Sequence, residues 1–227
     1  MIILAFDIIS PSPTLAIFKD GEPLCYKTIE QNTKHSELLI SSIENLLNSA
    51  NIWYQDLDLV LATITPGSFT SSRIALIVAK TIKMSLNIDV LLLDSTQILA
   101  YKNSTHYKGD LLVIMDAGMS EYYMSAYNSS NGNIKLISDL KIWKIDDLSS
   151  YMRDNIKSKK LLVCGLAKND LIKINDVMSN NILYYGDDII NASDVIKFFT
   201  NSSKNDIFLQ NVEIPYLRQP IIEKRKK

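Results

Sequence analysis

The feature that most constrains this chain is a pattern that occurs twice. Residues 2–6 form an apolar run that stops at Asp7, residues 14–18 form a second, and Asp20-Gly21 supplies the left-handed backbone of a tight hairpin before a third strand over residues 24–30. The order then repeats: residues 111–115 stop at Asp116, residues 121–127 alternate, Asn131-Gly132 marks the next hairpin, and residues 134–143 follow as a strand. The two aspartates stand 109 positions apart and the two turn glycines 111. A strand, aspartate, strand, turn, strand order at nearly constant offset is the mark of an internal duplication. A chain of 227 residues divides into two lobes of about 100 residues, each large enough for its own core.

The segments between the repeats have helical period. Residues 35–50 place Leu39, Ile43, Leu46, Leu47 and Ala50 on one stripe, with Glu37, Ser41, Glu44, Asn45 and Asn48 elsewhere, which predicts a half-buried amphipathic helix. A strand follows over 59–64, Pro66-Gly67 turns the chain, and a second helix runs over 70–86, with Ser68 or Thr70 as its cap. Residues 91–93 read as a buried strand, and Ser95 caps a short helix through Tyr101. In the second half the pattern predicts a helix over 146–155, strands over 161–164 and 182–185, a helix over 193–199 and a charged tail over 223–227. Strand meanders followed by alternating helices and strands imply an α/β chain of two lobes, each a mixed sheet with packed helices, cut as 1–105 and 106–227.

With 24 basic and 25 acidic residues and a pI near 6.1, the chain lacks the global positive field of a protein that binds nucleic acid unaided. Cys25 and Cys164 sit in apolar segments and predict buried free thiols, hence a reducing cytoplasm. No basic leader and no run of about 18 apolar residues is present, so neither secretion nor a membrane span is expected.

A duplicated lobe whose first strand ends in aspartate is the architecture of the actin, sugar-kinase and Hsp70 (ASKHA) class, in which glycine-rich hairpin turns wrap nucleotide phosphates. The first such turn here, residues 7–14, has no glycine, and Pro11 and Pro13 lack N–H donors, so it is poorly built to cradle a phosphate. Asp116-Ala117-Gly118 fits either a phosphate turn or an ordinary hairpin. The two histidines, His35 and His106, lie 71 positions apart with no acidic or cysteine cluster beside either, so they do not form a metal pair at helical spacing. No serine occupies a Gly-x-Ser-x-Gly elbow, and neither cysteine has activating charges nearby. Asp7 and Asp116 therefore read as structural strand-end residues. The 70–86 helix is apolar on nearly every face, through Ile74, Ala75, Leu76, Ile77, Val78, Ala79, Ile82 and Met84. It is either the central helix of its own lobe or a helix with one face covered by a partner. Arg73, near its N-terminus, calls for a counter-charge.

Taken together, Ile3-Leu4-Ala5-Phe6-Asp7, His35-Ser36-Glu37-Leu38-Leu39, Thr65-Pro66-Gly67-Ser68-Phe69-Thr70 with Arg73-Ile74, Met115-Asp116-Ala117 with Glu121-Tyr122-Tyr123, and Pro215-Tyr216-Leu217-Arg218 resemble the TsaB (YeaZ) family. The resemblance spans the chain, strongest through Tyr123. Ser71-Ser72 and Gly118 depart from it, standing where the family usually has Gly with an aliphatic residue, and Arg. The resemblance implies a bacterial, cytoplasmic, non-catalytic subunit of the pathway that forms N6-threonylcarbamoyladenosine next to the anticodon of tRNAs reading ANN codons. In that pathway a TsaD-like catalytic subunit with a His-x-x-x-His metal site transfers the threonylcarbamoyl group, and a TsaE-like ATPase assists. It implies no catalytic residue, metal or cofactor of the chain's own, leaves open a nucleotide at the partner interface, and brings tRNA in only within the complex. Docking would use helices 35–50 and 68–86, drawing on Leu39, Ile43, Leu46, Leu47, Ser68, Phe69, Thr70, Arg73 and Ile77. A self-associating scaffold, including a homodimer over the same helices, and an ATP-using or peptidase-like enzyme are the alternatives.

Overall fold

The computed structural model describes residues 1–29, 35–130, 132–144, 146–148, 150–151, 160–165 and 182–202. The expectations for Asn131, for residues 152–155, for Pro215-Tyr216-Leu217-Arg218 and for the 223–227 tail lie outside them, as do the side chains of His35 and Phe69.

The first lobe is built from β1 (Ile2–Asp7), β2 (Thr14–Lys19), β3 (Glu22–Thr28), α1 (His35–Ser49), β4 (Leu59–Thr65), α2 (Phe69–Leu86), β5 (Asp89–Asp94) and α3 (Ser95–Ser104). The second contains β6 (Gly109–Gly118), β7 (Glu121–Ser130), β8 (Asn133–Lys144), β9 (Lys160–Cys164), β10 (Ile182–Tyr185) and α4 (Ala192–Asn201). The strand orders β3-β2-β1-β4-β5 and β8-β7-β6-β9-β10 are the same topology twice, with an antiparallel meander on one side and parallel strands on the other. This is the duplicated actin-like fold that the sequence predicts.

Local chemistry sets the elements. Residues 3–7 of β1 are buried on both faces, because helices cover both sides of a central strand. Asp20 and Gly21 both have positive φ (54° and 89°), the mirror-image turn whose twist suits a hairpin, and Gly132 (80°) stands in the corresponding β7–β8 turn of the second lobe; Met119 (57°) and Ser120 (60°) turn β6 into β7. Asp94, not Ser95, caps α3: its carboxylate accepts the Thr96 N–H at 2.7 Å, and the helix runs on to Ser104. β6 likewise continues past Asp116 to Gly118.

Three layers of apolar side chains result. Leu4, Phe6, Leu15 and Ile17 on the outer face of the first sheet meet α1 and α2. Leu112, Ile114, Met124 and Val163 form the outer core of the second sheet with Leu148. Between the sheets, Ile3, Ala5, Ala16 and Phe18 from one side and Leu111, Val113, Tyr127 and Leu162 from the other enclose α3 and α4 in one shared core. The lobes exchange these helices: α3 packs on β6, β7, β8 and β9 as well as on β4 and β5, and α4 packs on β1, β2 and β4.

Polar bonds seal the exchange. The Thr14 hydroxyl of β2 accepts the Ala192 N–H of α4 at 2.8 Å, and Lys102 of α3 donates to Asp194 of α4 at 3.0 Å. Asn103 donates to the Asp187 carbonyl at 3.0 Å and accepts its N–H at 2.8 Å. Lys102→Met is expected to lower stability by about 1–3 kcal/mol, because Asp194, 8% exposed, loses the ammonium that pairs with it at 3.0 Å. Thermal unfolding at neutral pH measures it.

Candidate partner interface

α2 starts where Ser68 caps it. The Ser68 hydroxyl oxygen accepts the Ser71 N–H at 3.1 Å, and its own proton goes to Ser71 Oγ at 2.8 Å. The helix ends at Asn87, whose left-handed backbone directs its N–H to the Lys83 carbonyl at 2.9 Å. Between the caps, Ser72, Ala75, Val78, Ala79 and Ile82 form the buried stripe. The opposite ridge consists of Thr70, Arg73, Ile77, Lys80, Thr81 and Met84. Ile77 is 63% exposed and Met84 85%, so the excess apolar content of α2 is not consumed by its own lobe.

α1 lies beside α2 on the same sheet face, and its apolar stripe is buried against that sheet. Leu39, Ile43, Leu46 and Leu47 are 0, 1, 3 and 2% exposed. They are the single apolar stripe of α1, and the sheet beneath takes all of it through contacts with the outer-face core. Their side chains are therefore not available to a partner. What α1 presents outward is Ile40, 61% exposed, with Ser41, Glu44, Asn45 and Asn48. Of the residues expected at an interface, Ser68, Thr70, Arg73 and Ile77 are surface-exposed, while Phe69 has no described side chain. Ile40 and Met84 are exposed apolar residues of the same two helices that the expected set does not include. Ile40 is out of phase with a stripe already complete, and that is the signal that marks an apolar residue as left outside.

The strand-end aspartates face different surroundings. Asp7 is fully buried; its carboxylate accepts the Thr63 hydroxyl and the Ser10 N–H, the latter at 3.2 Å. Burial pushes its pKa up, against the pull of those hydrogen bonds. It ties the first turn to β4. Asp116 is exposed and accepts the Gly118 N–H at 2.7 Å, closing its own hairpin. The first turn also leans on the 66–68 turn: a Cβ on Gly67 would stand 2.1 Å from Ile9 Cγ2. Gly67→Ala is expected to destabilise by about 1–3 kcal/mol through overpacking, with Ile9→Ala restoring much of the loss; denaturant midpoints of the single and double variants measure it.

Cys25 and Cys164 are free thiols, Cys164 buried and Cys25 partly so. His106 is exposed. Among the described residues, no three His, Cys, Asp or Glu side chains gather to hold a metal ion, and no helix is long and apolar enough to cross a membrane.

The family model of TsaD, tRNA N6-adenosine threonylcarbamoyltransferase, matches residues 28–215. The tRNA threonylcarbamoyladenosine biosynthesis protein TsaB of Buchnera aphidicola subsp. Schizaphis graminum is 29% identical over 212 residues, covering 89% of this chain and 95% of that protein. TsaB of Bacillus subtilis is 28% identical over 137 residues, covering 60% of this chain and 59% of that protein. Among solved structures, YeaZ from Pseudomonas aeruginosa shares the fold with a TM-score of 0.68 at 20% identity, covering 86% of this chain and 89% of that one. An uncharacterized protein with similarity to peptidase YeaZ, from the same organism, gives 0.69 at 19%, covering 88% and 90%. The fold, the length of the match and these relatives agree: the chain belongs to the TsaD family, tRNA N6-adenosine threonylcarbamoyltransferase, and within it to the TsaB (YeaZ) group.

Proposed function

We propose that the chain is a non-catalytic cytoplasmic subunit that docks on a TsaD-type transferase and, with a TsaE-type ATPase, supports formation of N6-threonylcarbamoyladenosine in tRNAs reading ANN codons. The observation that carries this is the exposed ridge of α1 and α2, where Ile40, Ile77 and Met84 stand among Arg73, Lys80 and Glu44 after the core beneath is complete. Exposed apolar side chains among polar ones, on capped α2 and on α1 beside it, suit a docking face.

Two features support the non-catalytic part. With two histidines 71 positions apart, the sequence cannot form a His-x-x-x-His metal pair. Asp7 is fully buried and its carboxylate is engaged by Thr63 and Ser10, which suits a structural role better than a catalytic one. With balanced charge, the chain meets tRNA as part of the complex. A nucleotide, if the complex needs one here, belongs at the partner interface, because Pro11 and Pro13 leave the first turn short of N–H donors.

The test is co-elution with the TsaD-type chain from the same source. A stable heterodimer is expected. A TsaD-type chain that stays monomeric while this chain pairs only with itself in light scattering favours the scaffold reading and contradicts the proposal.

A further inference from the structure

A polar chain that is half-buried at Asp94 and buried beyond it crosses the joint between the two sheets. Asp94, at the end of β5, accepts the Thr96 N–H at 2.7 Å and the Thr96 hydroxyl at 2.8 Å on the same oxygen, Oδ1. The Thr96 Oγ1 lies 2.7 Å from the Tyr127 phenol of β7, in the opposite lobe. The Thr96 hydroxyl has one proton, and with Asp94 ionised that proton points at the carboxylate, so the Tyr127 O–H must donate to Thr96 Oγ1. Every hydroxyl in the chain is thereby oriented by one charge. Ser125, two residues before Tyr127 on the same face of β7, is fully buried and its Oγ has no hydrogen-bond partner. A buried hydroxyl left unpartnered is a cost that calls for an explanation.

We propose that Asp94, Thr96, Tyr127 and Ser125 form a proton-operated switch with two hydrogen-bond arrangements at the joint between the lobes. In the ionised arrangement, Tyr127 donates to Thr96, Thr96 donates to Asp94, and Ser125 is the orphan. When one proton enters from solvent onto the Asp94 carboxyl, the direction reverses: Asp94 donates to Thr96, Thr96 donates to Tyr127, and the Tyr127 O–H turns to Ser125 Oγ. No covalent bond changes other than the O–H formed on Asp94. The second arrangement satisfies the orphan hydroxyl but weakens the cap of α3, because a neutral carboxyl is a poorer acceptor than a carboxylate. α3 is the helix that the first lobe lends to the second, so the proton acts on the element that joins them.

The surroundings suit a group that changes charge alone. Burial pushes Asp94 up to about 6, with hydrogen bonds from Thr96 and Gln97 opposing. Thr65 of β4 is its neutral register partner. From the second sheet, the titratable groups acting on the cluster are Tyr127 and, through it, Cys164; burial pushes both up, so both stay neutral. Asp187 and Asp188 act on Cys164. Lys102, in the last turn of α3, is engaged with Asp194 and Asp187. The folded carboxyl lies above its ordinary 3.8, so the folded chain holds a proton between that value and about 6 that the unfolded chain has released. Stability therefore falls as pH rises through that window.

The test is a ¹³C NMR titration of the full chain between pH 4.5 and 8, following the Asp94 carboxyl and the Tyr127 ring carbon that bears oxygen. Both are expected to move with one shared midpoint near 6, Tyr127 remaining un-ionised throughout. Thr96→Val should cut the amplitude of the Tyr127 response at least threefold. Ser125→Ala should lower the Asp94 midpoint, since the protonated arrangement loses its last acceptor; this variant decides the matter if Thr96→Val does not fold. A Tyr127 signal indifferent to Asp94, an Asp94 midpoint near 4, or a Ser125→Ala chain with an unchanged midpoint overturns the proposal.

Discussion

Ile77→Glu is expected to weaken binding to the TsaD-type subunit at least a hundredfold while leaving the melting temperature of the isolated chain within a degree or two. Ile77 is 63% exposed on a helix whose core stripe is already filled, so the substitution removes nothing the fold uses. In the complex the carboxylate would be desolvated among apolar neighbours, and about 2.8 kcal/mol suffices for a hundredfold loss. Met84→Glu should act in the same direction and add to it. Ile43→Asp is the contrasting case. Its side chain is 1% exposed beneath α1, and an unpaired charge there is expected to cost more than about 4 kcal/mol and to unfold the chain. Loss of binding by that variant says nothing about the interface. Isothermal titration paired with calorimetric melting separates the two.

Cutting the chain at the lobe boundary is expected to destroy folding of both halves. A fragment of residues 1–105 keeps β1, β2 and β4 but loses α4, leaving Ile3, Ala5, Ala16 and Phe18 facing water on the inner side of the sheet. It also keeps α3 without the sheet on which α3 mainly packs. Four such side chains, at about 1.5–3 kcal/mol each for the large ones, approach the whole stability of an ordinary domain. Neither fragment should show a cooperative thermal transition alone, whereas co-expressed halves should associate and regain one. A separately folded 1–105 fragment would show that the central layer matters far less than its burial suggests.

The duplication was legible because strand, aspartate and turn residues are local signals, and Asp7 with Asp116 and Gly21 with Gly132 fall where the structure needs them. The exchange of α3 and α4 was not legible, since an amphipathic pattern records that a face is buried and not which sheet buries it. The same gap bears on Leu39, Ile43, Leu46 and Leu47: the stripe was legible, and the structure packs it on the chain's own sheet. Ser71-Ser72, a departure from the family pattern in sequence, has a local use in the structure, where Ser71 takes the Ser68 proton and Ser72 faces the core. The Thr96 to Tyr127 hydrogen bond joins residues of opposite lobes and left no trace at the level of sequence spacing.

On the proposed reading, this chain acts through the partner it docks on, by the exposed faces of α1 and α2. The most direct measurement is N6-threonylcarbamoyladenosine formation on tRNA in a reconstituted system of TsaD-type and TsaE-type chains, run with this chain, without it, and with the Ile77→Glu variant. Modification is expected only with the unmodified chain, the variant behaving as an omission. Equal modification in its absence, or full activity of an Ile77→Glu, Met84→Glu double variant, would overturn the docking role.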